Sequence, residues 1–271
     1  MNPIQNLHLH TSYCDGINSA EEIIKTAISK GFNSIGFSGH SYMWYSPSHS
    51  MSLEGTEEYK KEIAHLKEKY KGVIDVYLGL ELDAYSNVDL SGYDYIIGSL
   101  HYLKIGKEYV GFDRSAEVVK GIIDKYFNKN GLEFAKEYYA QLSVLAEYNN
   151  IDILGHFDLI TKNIEKIKFF DTESKEYLKY AFDALDVLKN KIPFFEVNTG
   201  AIARGYRTSP YPMKNLLVKM KELGFGAVIT SDCHEAKYLD CAFSDASKLL
   251  LDCGFTKRYI LTEKGFVDVK L

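Results

Sequence analysis

Six of the eight histidines in this 271-residue chain stand where a short apolar run breaks off. They occur in Leu7-His8-Leu9-His10, Gly39-His40, Leu100-His101, Gly155-His156 and Asp232-Cys233-His234. A lone histidine after a strand commonly caps a backbone group, but that account does not cover six of them together with Asp15, Glu81 and Asp232 in similar places. Side chains two apart on a strand share a face, so His8 and His10 can address one ion, as can Asp232 and His234. Glu81 closes the run Val76-Tyr77-Leu78-Gly79-Leu80, and a charge at the end of so apolar a segment needs a partner. A mixed imidazole and carboxylate set suits zinc, iron or manganese, whereas calcium or magnesium would be held by oxygen almost alone. Nine ligands are too many for one ion and fit two or three sharing a bridging carboxylate. Ions about 3.5–4 Å apart activate a bridging water and clamp both ends of an in-line displacement at phosphorus. His49 and His65 lie in polar stretches and are expected to take no part in holding metal.

The elements that must position these residues alternate. Strands are expected at Ile4–Leu9, Ser34–Ser38, Val76–Leu82, Tyr95–Ser99, Ile153–Gly155, Phe194–Asn198 and Ala227–Ser231. Between them the apolar spacing predicts a helix capped by Ser19 and Glu22 and stopped by Gly31, then helices at Thr56–Tyr70, Ala116–Phe127, Leu132–Tyr148, Glu173–Lys189, Met213–Leu223 and Asp245–Asp252. The stretch from Ser41 to Gly55 is too long for an ordinary connection and reads as an active-site loop. Tyr259–Leu261 and Phe266–Val269 suggest a terminal hairpin. Strand–helix alternation implies parallel strands with right-handed crossovers, and about seven units favour a barrel over an open sheet. A site at the C-terminal rim of such strands accounts for the placement of the histidines. No linker or repeat divides residues 1–271, so one domain is expected.

Composition narrows the function. A formal charge of −5 supplies no general attraction to nucleic acid or anionic membrane, and no basic, aromatic-interleaved tract suggests long nucleic acid. No segment approaches the ~20 apolar residues of a membrane span. The N-terminus lacks the pattern of a signal peptide. Cys14, Cys233, Cys241 and Cys253 form no CxxC pair, which points to a reducing compartment without structural disulfides. Cys14 and Cys233 are expected to pack beside metal ligands without being ligands. The expected setting is the cytoplasm; oligomeric state cannot be read from the sequence.

The ordered motifs HxHTxYCDG from His8 to Gly16, Gly39-His40, Glu81, Ser99-Leu100-His101, Gly155-His156-Phe157-Asp158 and Ser231-Asp232-Cys233-His234 resemble the polymerase and histidinol phosphatase (PHP) superfamily. HxH alone is common among metallohydrolases; the ordered set, from Leu7 to His234, is specific. Glu196-Val197-Asn198-Thr199-Gly200 with downstream arginines resembles the histidinol-phosphatase branch. The resemblance implies an α/β fold, a distorted (β/α)7 TIM-like barrel, with a trinuclear centre. It implies that His8, His10, Glu81 and Asp232 hold one ion, that Glu81 bridges to a second held by His101 and His156, and that Asp15, His40 and His234 hold the third. Asp15 is the position at which relatives vary. The activity implied is hydrolysis of L-histidinol phosphate by a metal-bridging hydroxide, with Asp232 or His234 guiding a proton to the leaving group.

Only four arginines occur, and Arg204 and Arg207 share the loop Thr199–Pro210 after a strand end. Arginine suits bidentate phosphate contact, so these two are the expected phosphate clamp. Asp158 and Glu196 are expected to meet the amine or imidazole of a substrate, with Tyr42 and Trp44 as an aromatic wall. The competing readings are a PHP phosphoesterase acting on small nucleotides or nucleic-acid ends, a zinc amidohydrolase, which ordinarily uses a lysine bridge not offered here, and a non-catalytic metal-binding PHP module.

Overall fold

The computed structural model describes residues 3–271. Its strands and helices, in chain order, are β1 (Gln5–Asn6), α1 (Ala20–Ser29), β2 (Ser34–Phe37), α2 (Leu53–Lys69), β3 (Asp75–Asp83), β4 (Tyr95–Ser99), the hairpin β5 (Tyr102–Ile105) and β6 (Glu108–Gly111), then α3 (Ala116–Tyr126) and α4 (Gly131–Leu142). There follow β7 (Ile153–Leu154), α5 (Lys175–Leu188), β8 (Phe194–Asn198), the one-turn α6 (Gly200–Ala203), α7 (Lys214–Glu222), β9 (Gly226–Thr230), α8 (Phe243–Asp252) and a closing hairpin of β10 (Lys257–Thr262) and β11 (Gly265–Lys270). The seven expected strands form one sheet in the order β1-β2-β3-β4-β7-β8-β9, with every neighbouring pair parallel. A parallel bridge between Leu9 and Cys233 joins the first strand to the last. There the His10 amide donates to the Cys233 carbonyl at 2.9 Å and the Cys233 amide to the His8 carbonyl at 3.0 Å. The sheet is thus a nearly closed, distorted barrel of the TIM type.

The first strand is shorter than expected because Asn6 interrupts its ladder. The Asn6 carboxamide accepts from the His8 amide at 3.1 Å and donates to Ser231 Oγ at 2.6 Å. Pairing resumes only at Leu9, where the Ser38 amide reaches the Leu9 carbonyl. α2 starts at Leu53, not Thr56, because Ser52 caps it by accepting the Gly55 amide at 2.9 Å, satisfying an otherwise unpaired donor of the first turn. The long helix expected through Tyr148 ends at Leu142 and continues as a 3-10 turn over Ser143–Glu147. Ser143 Oγ bonds back to the Tyr139 carbonyl there, a contact that bends helices. The β5–β6 hairpin was not anticipated: each strand has four residues, below the length at which alternation stands out, and the turn is made by Gly106 at φ +63°. The C-terminal hairpin forms as expected. Among the described residues no helix is long and apolar enough to cross a membrane.

Two apolar layers hold the barrel. The larger lies between strands and helices; the smaller joins Leu7, Tyr95, Ile97, Ile153 and Val228 to Leu261 of the closing hairpin. Gln5 zips that hairpin to β1, donating to the Leu261 carbonyl at 2.8 Å and accepting its amide at 2.7 Å. Tyr95 is fully buried and donates its hydroxyl to the Leu7 carbonyl, and its ring passes where side chains on two neighbouring strands would be. A Cβ on Gly36 would lie 2.4 Å from its Oη, and one on Gly79 would lie 2.2 Å from its Cζ. Glu81 is two residues beyond Gly79 and projects from the same face of β3. The packing that seats Tyr95 therefore sets the height of the carboxylate. Gly79→Ala should cost about 1–3 kcal/mol by overpacking, read as a fall of several degrees in Tm, and Tyr95→Leu in the same chain should recover part of it. A Gly79→Ala protein melting with its parent would show that the ring does not fill this space.

Candidate metal centre

Nine side chains from six of the seven barrel strands converge just past the strand ends. His8 and His10 follow β1, His40 follows β2, Glu81 belongs to β3, His101 follows β4, His156 follows β7, and Asp232 and His234 follow β9; Asp15 comes from the turn after His10. Glu81 is at the crossing point. Its Oε1 lies 3.0 Å from His156 Nε2 and 3.4 Å from His101 Nε2, and those two nitrogens are 3.3 Å apart. Its Oε2 lies 3.3 Å from His8 Nε2, 3.5 Å from His10 Nε2 and 2.8 Å from His40 Nδ1. Asp232 Oδ1 faces His8 and His10 Nε2 at 3.7 and 3.3 Å. Asp15 meets His40 Nε2 at 3.6 Å and His234 Nε2 at 3.3 Å. Donor atoms about 3.3 Å apart are what tetrahedral ligands at about 2.0–2.1 Å from a common ion present.

The outer hydrogen bonds leave the inward nitrogens available. His8 Nδ1 donates to Glu196 Oε2 at 2.8 Å, His101 Nδ1 faces Asp83 Oδ2 at 3.3 Å, and His234 Nδ1 lies 3.0 Å from both the Asp232 carbonyl and Arg204 Nη1. Imidazoles oriented in this way through the far nitrogen are characteristic of metal ligands. Inside the cluster, the buried atoms His8 Nε2, His10 Nε2, Glu81 Oε2 and Asp15 Oδ1 have no hydrogen-bond partner among the described residues. Leaving such atoms dry and unpaired is costly, and a cation satisfies all four. The donor set therefore fits divalent metal. Asp232 adopts φ +46°, a left-handed backbone uncommon for a non-glycine residue and concentrated at functional sites.

Burial and charge oppose each other here. Burial lowers the His8 imidazole, but Glu196, Glu81 and Asp232 outweigh it and hold it well above its ordinary value. His40 is raised likewise, Glu81 and Asp15 overcoming burial. His101 is raised to about 10 by Glu81 and Asp83 against burial. His10 is the opposite case: burial, reinforced by His234 and His40, lowers it to about 3. Burial would raise Glu81, yet His8, His40 and His101 keep it well below the usual carboxylate range.

Several expected substrate contacts have other roles. Glu196 is fully buried behind the ligands. Besides His8 it accepts the His156 amide at 2.6 Å, Asn198 Nδ2 at 2.8 Å and Thr230 Oγ1 at 2.7 Å, so it orients the His8 and His156 segments and leaves no edge for a substrate. Asp158 and Arg207 are buried together, Arg207 Nη1 lying 3.8 Å from Asp158 Oδ2 and 2.6 Å from Thr161 Oγ1. Both are committed to the protein interior and do not line the cleft. Tyr42 faces a separate groove with Leu53, Thr56 and Tyr93. Trp44 is exposed, edge-on to Tyr45 and Tyr109, outside the lining of the cleft. Arg204 is the expected contact that does reach the centre, donating to Asp232 Oδ2 at 3.0 Å and to its carbonyl at 3.1 Å. All four cysteines are free.

The cleft over the cluster is lined by Asp15, His40 and His101 together with His49, Tyr102 and Arg114, among others. Sequence reasoning passed over the last three. His49 lay in a polar run, Tyr102 opens the unanticipated hairpin and Arg114 follows it. Asp83, which holds His101, was also missed, although its place two residues beyond Glu81 on one strand face was a usable signal.

A parallel barrel carrying a buried histidine–carboxylate cluster at its C-terminal rim defines a metallohydrolase. A family model described as "PHP domain" matches residues 6–200, and the chain belongs to this family. It is 30% identical over 261 residues to a protein of Deinococcus radiodurans bearing the name "Probable histidinol-phosphatase", covering 91% of this chain and 92% of that one. It is 28% identical over 264 residues to the histidinol-phosphatase of Lactococcus lactis, covering 92% and 90% of the two chains. Among solved structures, histidinol phosphate phosphatase from Lactococcus lactis in complex with zinc, L-histidinol and phosphate superposes with a TM-score of 0.72 at 21% identity, over 97% of this chain and 98% of that one.

Because carboxylates keep His8, His40 and His101 protonated at neutral pH without an ion, metal uptake must displace those protons. Loading the metal-free protein at pH 7 in weak buffer should release protons, and apparent affinity should rise as pH is raised from 6 to 9. Uptake with no acidification would remove these imidazoles from the ligand set.

Proposed function

We propose that this chain is a metal-dependent phosphomonoesterase that hydrolyses L-histidinol phosphate to L-histidinol and inorganic phosphate, a step of histidine biosynthesis. The observation that carries the reading is the complete ligand set around Glu81, opening on a cleft that a small phosphate ester can enter. The choice of ester is supported by the histidinol-phosphatase names of relatives that match about nine-tenths of both chains, and by the zinc, L-histidinol and phosphate named with the Lactococcus lactis structure. Residues 1–271 act as one catalytic domain in this reading. The ester is the partner, not long nucleic acid, and the setting is cytoplasmic.

His8, His10, Glu81 and Asp232 hold the first of two or three divalent transition-metal ions, Glu81, His101 and His156 the second, and Asp15, His40 and His234 the third. Zinc is the leading identity, with iron and manganese suited to the same donors. When bound, the ions supply an activated water and neutralise charge on the phosphoryl oxygens. The remaining work falls to the chain. Glu81 fixes the spacing of the three sets by sharing its two oxygens among five imidazoles. Glu196 and Asp83 hold His8 and His101 in the tautomers that present Nε2. Asp232 and His234 stand at the edge of the cluster, where their side chains complete the first and third ligand sets. Arg204, anchored on Asp232, presents its guanidinium to the phosphate and adds a fixed cation where charge accumulates.

Phosphate release from a panel of phosphomonoesters after metal reconstitution tests the substrate. Histidinol phosphate should exceed nucleotide monophosphates at least about tenfold in kcat/KM, a gap of about 1.4 kcal/mol in transition-state binding. Equal or reversed rates would overturn the substrate while leaving the metal site in place. Arg204→Ala should raise KM or lower kcat by about tenfold or more, the loss of one charge-assisted contact; an unchanged profile would take Arg204 out of the phosphate site.

A further inference from the structure

The metal ligands leave one chemical task unassigned. Breaking the bond from phosphorus to an alkyl oxygen expels a strongly basic alkoxide, and a proton must arrive as it leaves. Asp232 and His234 are poor donors while they are coordinated. Three non-ligand side chains lining the cleft can in principle give a proton: Asp113, Tyr102 and His49. Burial would raise the Asp113 carboxyl, but Lys162, with Nζ 2.7 Å from Oδ1, and His101 keep it low and ionised. The Tyr102 hydroxyl is paired with Ser46 Oγ at 2.5 Å.

His49 is placed differently. Its Nδ1 is 3.0 Å from Ser48 Oγ and 3.4 Å from Ser46 Oγ, and its Nε2 has no partner among the described residues. The loop that carries it is fastened to the site on both sides. Tyr45 Oη donates to Asp83 Oδ1 at 2.5 Å, and Asp83 Oδ2 accepts the His101 amide at 2.9 Å. Tyr45 also stacks on Tyr109 of the β5–β6 hairpin at 4.2 Å between ring centroids. Beyond His49, the Met51 amide returns to the His40 carbonyl. The half-buried imidazole is thus suspended between segments that end on two of the expected ligands, beside the cluster but not in it.

We propose that His49 is the general acid of the reaction, an inference that rests on the phosphomonoesterase reading above. A water oxygen forms the new bond to phosphorus, and the bond from phosphorus to the ester oxygen breaks with its electron pair on that oxygen. His49 gives that oxygen the proton of Nε2, releasing the alcohol. The proton lost by the attacking water goes to solvent, from which the neutral imidazole is recharged. Ser48 and Ser46 fix the ring through Nδ1 and leave Nε2 as the delivering atom.

The test compares leaving groups. In metal-loaded His49→Gln, turnover of alkyl esters such as histidinol phosphate or glycerol phosphate should fall about 100-fold or more. Hydrolysis of 4-nitrophenyl phosphate, whose leaving group needs no proton, should change less than about threefold. Metal content and Tm should match the parent, and His65→Gln, on the exposed face of α2, should alter neither rate. Equal losses on both ester classes would make His49 a binding or structural residue, and no loss on either would remove it from the reaction; both outcomes overturn the proposal. The parent separates the two ideas. If it hydrolyses the esters without preferring histidinol phosphate, the substrate assignment falls and the leaving-group comparison still decides His49. If it hydrolyses none, both fall.

Discussion

A carboxylate 1% exposed, with five imidazoles around it, is the feature on which this structure turns. Taking Glu81 out of water carries a desolvation penalty of several kcal/mol, and among the described residues its ion pairs are with histidines, not arginine or lysine. The compensation comes from five histidines delivered by four strand ends, with His8 and His101 oriented from behind by Glu196 and Asp83. Such an arrangement is tolerable to the fold because the same groups bind cations. A centre of this kind couples folding to metal, since its charges are fully matched only when ions are held.

The barrel supplies what that centre demands, namely strand ends that meet at one height. Parallel strands bring their C-terminal ends to a common rim, and the register pairs Gly79 with Tyr95 and Glu81 with Ile97. One large ring at the base, admitted by glycines on two neighbouring strands, fills the lumen beneath the carboxylate. The C-terminal hairpin covers that base with Leu261 and Phe266. Stability is concentrated below and chemistry above, the usual division of labour in barrels of this kind.

Around the rim the connections differ in purpose. The β7, β8 and β9 side holds the network of Glu196, Asn198 and Thr230, entirely buried and devoted to keeping His8 and His156 in place. The opposite side is made of the loop over residues 38–52 and the β5–β6 hairpin, joined by stacked tyrosines and by the Tyr45–Asp83 contact. One wall orients ligands, and the other lines the cleft. The two arginines of the Thr199–Pro210 loop divide along the same line, Arg204 toward the centre and Arg207 into the interior.

The strand order, the barrel and the nine converging side chains were legible in the sequence. They depend on local periodicity and on residue types at strand ends, which a parallel topology converts into a common rim. Strand boundaries were less so where a side chain competed with the backbone, as Asn6 does in the first strand and Ser143 does at the end of α4. The roles of polar residues near the site were settled only by the tertiary structure. Glu196 and Asp158 look alike as acidic residues near strand ends, yet one is consumed by His8 and the other lies beside Arg207. His49 and His65 both read as polar spectators, and only the path of a fifteen-residue loop puts one of them in the cleft and leaves the other on a solvated helix face. Periodicity reports which face of an element is buried; which partner a buried polar group meets depends on contacts between residues far apart in the chain, and no local pattern carries that information.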